Sequence, residues 1–206
     1  MKRRISREFY LYLGICLFLI TDVLYYIKPL TGLDTELLCG ARNRFSLFHP
    51  VFLWIAKYMN LYILTLLVVV FLYFMKKKTI AYWLAGNTVI VGLGFNFVLK
   101  NIFRRERPTI IPQLIQEHSF SFPSGSTLVS TLLFGGLLLA APKLVKRTYG
   151  RVLLRMSMVV LILLVGLSRI YVGVHYPTDV IAGICLGFSS LFISGYFIEK
   201  QNRPNG

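Results

Sequence analysis

The sequence predicts an all-α integral membrane protein, with one domain over residues 1–206 that crosses the bilayer six times in one helical bundle. Hydrophobic residues make up 56% of the chain and charged residues only 15%, a balance too apolar for an ordinary soluble domain of this size. The apolar residues form continuous runs of about 20, the length that a helix needs to cross the hydrocarbon core. Six such runs occur, at 9–27, 55–75, 80–99, 127–143, 152–170 and 178–198.

The continuity of these runs argues against a membrane barrel, which needs alternating strands of about ten residues. The first run follows Met-Lys-Arg-Arg, as in a signal peptide, but no small-residue cleavage site follows it, so we expect a retained span. Segment 28–50 contains proline, glycine and mixed charges, which indicate an external loop. Segment 100–125 is expected to be a second external loop that carries functional motifs.

The basic residues predict the orientation in a cell membrane. The chain has 23 lysine and arginine residues against 8 acidic ones, a net charge of +15. Most of them lie in short clusters between the runs and at the two ends of the chain, which predicts cytoplasmic termini and external segments 28–50, 100–125 and 169–177. Clusters of this kind indicate membrane lipids as partners and argue against nucleic acid, which is bound along a continuous basic face.

The first motif, Lys100 to Pro108, places basic residues at the outer end of the third run, where the charge rule predicts few. Lys100 and Arg107 are about two helical turns apart, so they share one face if the helix continues to Pro108. An ammonium group beside a guanidinium fork suits phosphate, which offers several oxygens and more than one charge. The same residues are also typical of a flank that binds lipid headgroups, and this segment alone leaves both interpretations open.

The second motif, Pro123-Ser124-Gly125-Ser126, leads into the fourth run. Unpaired backbone N–H groups at a helix start form an anion site beside the positive end of the helix dipole, and Ser124 can add its hydroxyl. Taken alone, a serine at this position is more often a simple N-cap.

The third motif joins the last two runs and contains Arg169, His175 and Asp179. The histidine and the aspartate are four residues apart, a spacing at which the carboxylate can reach the imidazole across one helical turn. A carboxylate that accepts from one ring nitrogen leaves the other free to act as a nucleophile. A structural histidine is the usual alternative, but ionisable residues at the ends of membrane spans tend to be functional.

A metal site is not expected. The acidic residues are too few and too scattered for a paired-carboxylate or two-metal site. The cysteines, Cys16, Cys39 and Cys185, have no metal-ligand spacing and no disulfide framework. We therefore expect neither a metal nor another cofactor.

Together the three motifs resemble those of the type 2 phosphatidic acid phosphatase family. The matching positions are Lys100 with six residues before Arg107-Pro108, then Pro123-Ser124-Gly125, then Ser168-Arg169 with five residues before His175 and three before Asp179. Their order and placement match over nearly the whole chain. The resemblance implies a six-helix bundle that dephosphorylates a lipid phosphate or pyrophosphate without a metal, through a phosphohistidine intermediate at the outer ends of spans three to six.

The resemblance also implies a role for each motif residue. His175 corresponds to the nucleophile, and Asp179 to the group that orients it. The phosphoryl oxygens and the transition-state charge would be held by Lys100, Arg107, Ser124, the Gly125 amide and Arg169.

Position 126 departs from the family pattern. The family has a histidine after Pro-Ser-Gly that protonates the leaving group, and this chain has Ser126. A serine hydroxyl is far too weak an acid for this role, and loss of a general acid lowers the rate by about 10²–10⁴-fold, so we expect an inactive or impaired chain. Deliberate replacement of a histidine and natural divergence are both open, and the first is favoured because every other motif position is intact.

The leading functional hypothesis is a phosphatase that removes the terminal phosphate of undecaprenyl pyrophosphate, a polyprenyl pyrophosphate released at the outer face of a bacterial cytoplasmic membrane. The motifs do not separate this substrate from phosphatidylglycerophosphate or phosphatidic acid. A non-catalytic binder or carrier of lipid phosphates is the rival from another class, and Ser126 is the residue that favours it.

Overall fold

The computed structural model describes residues 7–26 and 30–201, and over these residues its regular structure is entirely helical. This confirms the predicted all-α class. The helices are α1 (Arg7–Tyr26), α2 (Leu30–Arg44), α3 (His49–Tyr58), α4 (Leu61–Phe74), α5 (Lys78–Phe103), α6 (Gly125–Leu144), α7 (Thr148–Tyr171) and α8 (Pro177–Gln201). A 3₁₀ turn, Ser46–Phe48, precedes α3, and α5 and α6 each contain a π-helical segment.

Four helices are long and apolar enough to cross a membrane, namely α5, α6, α7 and α8 as far as Ile198. They match the last four predicted runs to within a few residues, because continuous apolarity is a strong signal for a spanning helix. In α1 the apolar stretch Glu8–Ile20 is shorter, and position 27, at the end of the predicted first run, lies outside the described residues. The count of six spans therefore stays a prediction.

The expected continuous span over 55–75 is wrong. The chain bends by 73° between α3 and α4, at Met59 and Asn60. The Asn60 side chain accepts hydrogen bonds from the N–H groups of Tyr62 and Ile63, both at 3.1 Å, and so caps a new helix. The two helices together are one bent span at most.

Segment 28–50, expected to be an external loop, is helical where it is described, and residues 28 and 29 lie outside the described part. Its place outside the membrane stays a prediction. From Leu30 onward the segment is helical and forms α2, the 3₁₀ turn and the start of α3. Arg42 attaches α2 to the bundle, because its guanidinium donates to the carbonyls of Tyr171 at 3.0 Å and Pro112 at 2.8 Å. Helix α2 thus packs against the end of the bundle where α5 stops and α6 starts, which we call the motif end.

Helix α6 lies at the centre of the bundle, with a larger buried share than the other three long helices. Small residues let α8 approach it closely. A Cβ at Gly187 would lie 2.7 Å from the Thr131 side chain, and one at Gly183 would lie 2.8 Å from the Ser124 carbonyl oxygen. This close packing fixes the start of α6 against the start of α8, and so brings the second and third motifs together.

Candidate active site

The first motif does not lie on one helical face. Helix α5 stops before Arg104, whose φ of 48° is left-handed, so it does not reach Pro108 and the expected continuation is wrong. The connecting segment 104–124 instead turns back over the motif end. Lys100 and Arg107 still meet there, because both donate to the carbonyl of Phe120, Arg107 from Nη2 at 3.5 Å.

The second motif forms the start of α6, with Ser124 as the N-cap residue. Its side chain makes no cap hydrogen bond; the hydroxyl lies 2.9 Å from Thr127 Oγ1, and its own N–H donates to the Asp179 carbonyl at 3.0 Å. The first N–H groups of α6 therefore have no side-chain cap at the positive end of the dipole. A Cβ at Gly125 would lie 2.9 Å from Asn96 Nδ2, so glycine is what permits this contact with α5.

In the third motif, Arg169 occupies the last turn of α7 with only 6% of its side chain exposed. Its Nη1 lies 3.3 Å from Glu117 Oε1, whereas its buried Nε has no hydrogen-bond partner in the described part of the chain. Gly173 then turns the chain with a φ of 79°, a conformation that glycine adopts without strain, and α8 begins two residues after His175. A buried guanidinium with an unpaired N–H is suited to an anionic ligand.

His175 is buried, and its two ring nitrogens face different groups. Nε2 lies 3.4 Å from Arg107 Nη1, while Nδ1 lies 3.4 Å from Ser121 Oγ and 3.6 Å from Asp179 Oδ2. The pKa of His175 is lowered to about 4, chiefly by burial and also by the charges of Arg107 and Lys100, while Asp179 acts in the opposite direction. The imidazole is therefore neutral at pH 7, the form that acts as a nucleophile.

Asp179 is fully buried, and three donors hold its two oxygens. Oδ2 accepts from Ser121 Oγ at 2.5 Å and from the Tyr176 N–H at 2.8 Å, and Oδ1 accepts from Arg105 Nη1 at 2.6 Å. The structure thus brings the predicted pair of His175 and Asp179 together, with the Ser121 hydroxyl within hydrogen-bond distance of both. Sequence reasoning missed Ser121, because no local pattern distinguishes it from the other serines of segment 100–125.

Glu117 was also missed by sequence reasoning. Its carboxylate lies 3.7 Å from Arg107 Nη2 and 3.3 Å from Arg169 Nη1, and so joins the guanidinium groups of two different motifs. Its place in a segment with an excess of arginine is the one signal that the sequence offers. Because a carboxylate mimics the charge of phosphate, this contact marks a position where an anion is stabilised.

A cavity of about 440 Å³ opens beside these groups. It is lined by Phe97, Lys100, Asn101, Arg105, Glu106, Arg107, Glu117, His118, Ser119 and Phe120. Two of the predicted site residues, Lys100 and Arg107, are among them. Ser126 is the second residue of α6, half-buried and outside this lining.

No group of three or more histidine, cysteine, aspartate or glutamate side chains lies close enough to hold a metal ion within residues 7–26 and 30–201. The acidic groups at the motif end, Asp34, Asp179 and Glu117, form ion pairs with arginines. The absence of a metal from the chemistry stays a prediction.

The apolar helices and the motif end define a class: a helical membrane protein in which lysine and arginine side chains lie close to a buried histidine. The chain belongs to the PAP2 superfamily, whose family model matches residues 81–203. That region contains all three motifs, from Lys100 to Asp179.

Two curated relatives and one solved structure are among the proteins that the chain resembles. Phosphatidylglycerophosphatase B of Bacillus subtilis (strain 168) is 38% identical over 112 residues, 52% of this chain and 53% of that protein, so the match spans about half the length of that relative. An undecaprenyl-diphosphatase of Sulfolobus acidocaldarius is 28% identical over 207 residues and covers 91% of both chains. The crystal structure of a transmembrane PAP2 type phosphatidylglycerolphosphate phosphatase from Bacillus subtilis superimposes with a TM-score of 0.77 at 26% identity, over 93% of this chain and 98% of that one. With the four apolar helices, these similarities identify a multi-pass membrane protein.

Proposed function

We propose that this chain is a membrane lipid phosphatase whose native reaction removes the terminal phosphate of undecaprenyl pyrophosphate or a related polyprenyl pyrophosphate. The observation that carries the proposal is the surroundings of His175, a neutral imidazole with Nε2 3.4 Å from Arg107 Nη1. Lys100 shares the Phe120 carbonyl with Arg107, and Arg169 is joined to Arg107 through Glu117. Membership of the PAP2 superfamily and the similarity to an undecaprenyl-diphosphatase over 91% of the chain support the substrate class.

In the proposed reaction His175 Nε2 attacks the terminal phosphorus. A nitrogen–phosphorus bond forms, and the bond from phosphorus to the bridging oxygen breaks with its electron pair on the departing lipid monophosphate. Lys100, Arg107 and Arg169, with the N–H groups at the start of α6, neutralise the charge on the phosphoryl oxygens. Asp179 stabilises the positive charge that the imidazole gains. Water then attacks the phosphohistidine, releases inorganic phosphate and leaves the imidazole neutral again.

Ser126 limits this reaction in the chain as it stands. A proton given to the departing oxygen speeds its departure, and a serine hydroxyl is too weak an acid to supply one at neutral pH. The family histidine at this position would supply it, so a chain with serine there is expected to bind the substrate and turn it over slowly or not at all. No metal or other cofactor takes part in the proposed steps.

The proposed site faces the outer side of a bacterial cytoplasmic membrane, with both termini in the cytoplasm. The clusters of lysine and arginine between the spans support this orientation, since they lie away from the motif end. Labelling with a membrane-impermeant reagent tests it, with single cysteines placed at 77 or at 109 after Cys16, Cys39 and Cys185 are replaced by serine. Selective reaction at 77 would reverse the proposed orientation.

Phosphate release by the Ser126→His variant tests the proposed function. The panel of substrates contains a polyprenyl pyrophosphate, phosphatidylglycerophosphate and phosphatidic acid, with Ser126→His/His175→Ala as the blank. We expect release from the polyprenyl pyrophosphate to rise by about 10²-fold or more over the unchanged chain, because a general acid is restored. A variant that is no faster on any of these lipids would show that position 126 has been assigned the wrong role.

Two alternatives each have an observation in their favour. Phosphatidylglycerophosphate is favoured as the substrate by the 38% identical relative and by the solved structure that covers 93% of the chain. Faster release from it than from the polyprenyl pyrophosphate in the panel would establish this alternative. A non-catalytic binder of lipid phosphates is favoured by Ser126, and tight reversible binding without turnover after Ser126→His would support it.

A further inference from the structure

A pair of charges, the half-buried Arg105 and the buried Asp34, lies behind Asp179. Asp34 belongs to none of the three motifs, and Arg105 is one of the six residues between Lys100 and Arg107, none of which the family resemblance gives a role. Arg105 Nη2 donates to Asp34 Oδ2 at 2.8 Å, and its Nη1 donates to Asp179 Oδ1 at 2.6 Å. The same guanidinium lies over the ring of Tyr176, 4.2 Å from its centre. One planar fork therefore holds two carboxylates from two different helices, α2 and α8.

Asp34 is fixed from a second direction as well. It is 2% exposed, and it accepts from the Thr178 N–H at 3.0 Å and from Thr178 Oγ1 at 2.5 Å. Because Thr178 directly precedes Asp179 in the first turn of α8, these bonds tie α2 to the backbone that carries the Asp179 carboxylate. Both carboxylate oxygens of Asp34 thus accept hydrogen bonds, and Arg105 has a fixed negative charge beside its Nη2.

The electrostatics of Arg105 agree with this arrangement. Burial lowers the pKa of its guanidinium, but the charges of Asp179 and Asp34 outweigh that effect, and the pKa is raised. Arg105 is therefore a permanent cation beside Asp179. Its position determines how much of the Asp179 charge remains available to His175.

We propose that Arg105 and Asp34 are positioning residues for the nucleophile: Asp34 holds Arg105, and Arg105 holds the Asp179 carboxylate with Oδ2 turned toward His175 Nδ1. The proposal rests on the function proposed above, because it assigns His175 the role of the nucleophile. It extends the working parts of the site to α2, a helix outside the matched region 81–203. Asp34 does not line the cavity and acts only through its neighbours.

The titration of His175 provides a direct test, because the chain has only three histidines, His49, His118 and His175. Three charged groups act on the ring directly, namely Asp179, Arg107 and Lys100. A fourth, Arg105, contacts the Asp179 carboxylate. Removing the Arg105 charge increases the proton affinity of the coupled histidine–aspartate pair, by about one pH unit or more. If Asp34 acted only as an isolated negative charge, removing that charge would instead lower the proton affinity of the histidine–aspartate pair.

The experiment uses the full chain with ¹⁵N-labelled histidine in detergent micelles, with the His175 signal assigned by His175→Gln. The variants are Arg105→Gln, Asp34→Asn and the double variant, with Arg104→Gln as the control that removes an exposed neighbouring arginine. We expect Arg105→Gln and Asp34→Asn both to raise the titration midpoint of His175, and the double variant to match Arg105→Gln. A midpoint in Asp34→Asn that equals the control or falls below it would overturn the proposal.

Kinetics in the Ser126→His background add a second readout. Both substitutions should lower kcat by about tenfold with KM unchanged, whereas direct contact of Arg105 with the phosphate would raise KM. Thermal unfolding confirms that each variant folds, and Arg105→Met replaces Arg105→Gln if the latter does not, since it also removes the charge. If the background itself has no activity, the proposed function fails, and the His175 titration in the chain as it stands still decides this proposal.

Discussion

Glu117→Gln should strengthen the binding of phosphate, because the Glu117 carboxylate lies between two guanidinium groups that we assign to the phosphoryl oxygens. It is 3.7 Å from Arg107 and 3.3 Å from Arg169, with 33% of its side chain exposed. Solvent screens both pairs, so each contributes about 0.2–1 kcal/mol. An entering phosphate must displace this carboxylate. Removing its charge therefore favours phosphate by about 1 kcal/mol in total, or about fivefold in Kd.

Isothermal titration calorimetry with inorganic phosphate, on the detergent-solubilised chain with Ser126 unchanged, measures this effect without turnover. Glu106→Gln is the matched control, because Glu106 lines the same cavity, is exposed and has no ion pair with an arginine in the described part of the chain. The Kd of Glu117→Gln should fall about fivefold, and that of the control should stay within about twofold. Equal Kd values for the two variants would refute the reasoning that Glu117 competes for the phosphate position.

Two further predictions concern packing and pH. Gly183→Ala should destabilise the bundle by about 1–3 kcal/mol. Its Cβ would lie 2.8 Å from the Ser124 carbonyl, whereas Gly195→Ala on the same helix meets nothing closer than 3.6 Å, so thermal unfolding should separate the two. Acidification from about pH 7 to about 4.5 should destabilise the chain, since the His175 imidazole binds a proton below pH 6.5 when unfolded but only near pH 4 when folded. His175→Gln should weaken this acid sensitivity, and an unchanged dependence on pH would contradict the burial of the ring.

The fold was predictable where the signal was continuous apolarity. The last four runs became α5 to α8 because each is long enough to satisfy its backbone in lipid as a single helix. The same signal failed over 55–75, since hydropathy does not register a helix start inside an apolar run. The capping residue Asn60 was the local sign of that start. In 28–50, glycine, proline and charge indicated a loop, but contacts such as that of Arg42 with the Tyr171 carbonyl stabilise a helix there.

The candidate site was predictable from motif spacing, because each motif lies at a helix end and the ends meet. The supporting groups were not predictable in this way. Asp34 and Arg105 are 71 residues apart, and Arg107 and His175 are 68 apart, so no local pattern connects them. The helical face proposed for Lys100 and Arg107 was wrong, yet both reached one carbonyl through a turn of the chain. Motif spacing indicated which residues meet, and only the tertiary structure showed the contacts and the course of the chain that bring them together.

In the proposed reaction, the residue at position 126 assists the departing oxygen, so the effect of Ser126 should depend on the leaving group. A lipid monophosphate leaving from a pyrophosphate departs more readily than the alcohol released from a phosphomonoester, and so depends less on a proton donor. The unchanged chain should therefore still form labelled phosphohistidine from a ³²P-labelled polyprenyl pyrophosphate, slowed by about 10²–10⁴-fold, and form none from phosphatidylglycerophosphate. Acid-labile label on the protein, absent in His175→Ala, measures this. Equal labelling from both lipids would show that the proton donor of the reaction does not act from position 126. His118, which lines the cavity, would then be the next candidate donor.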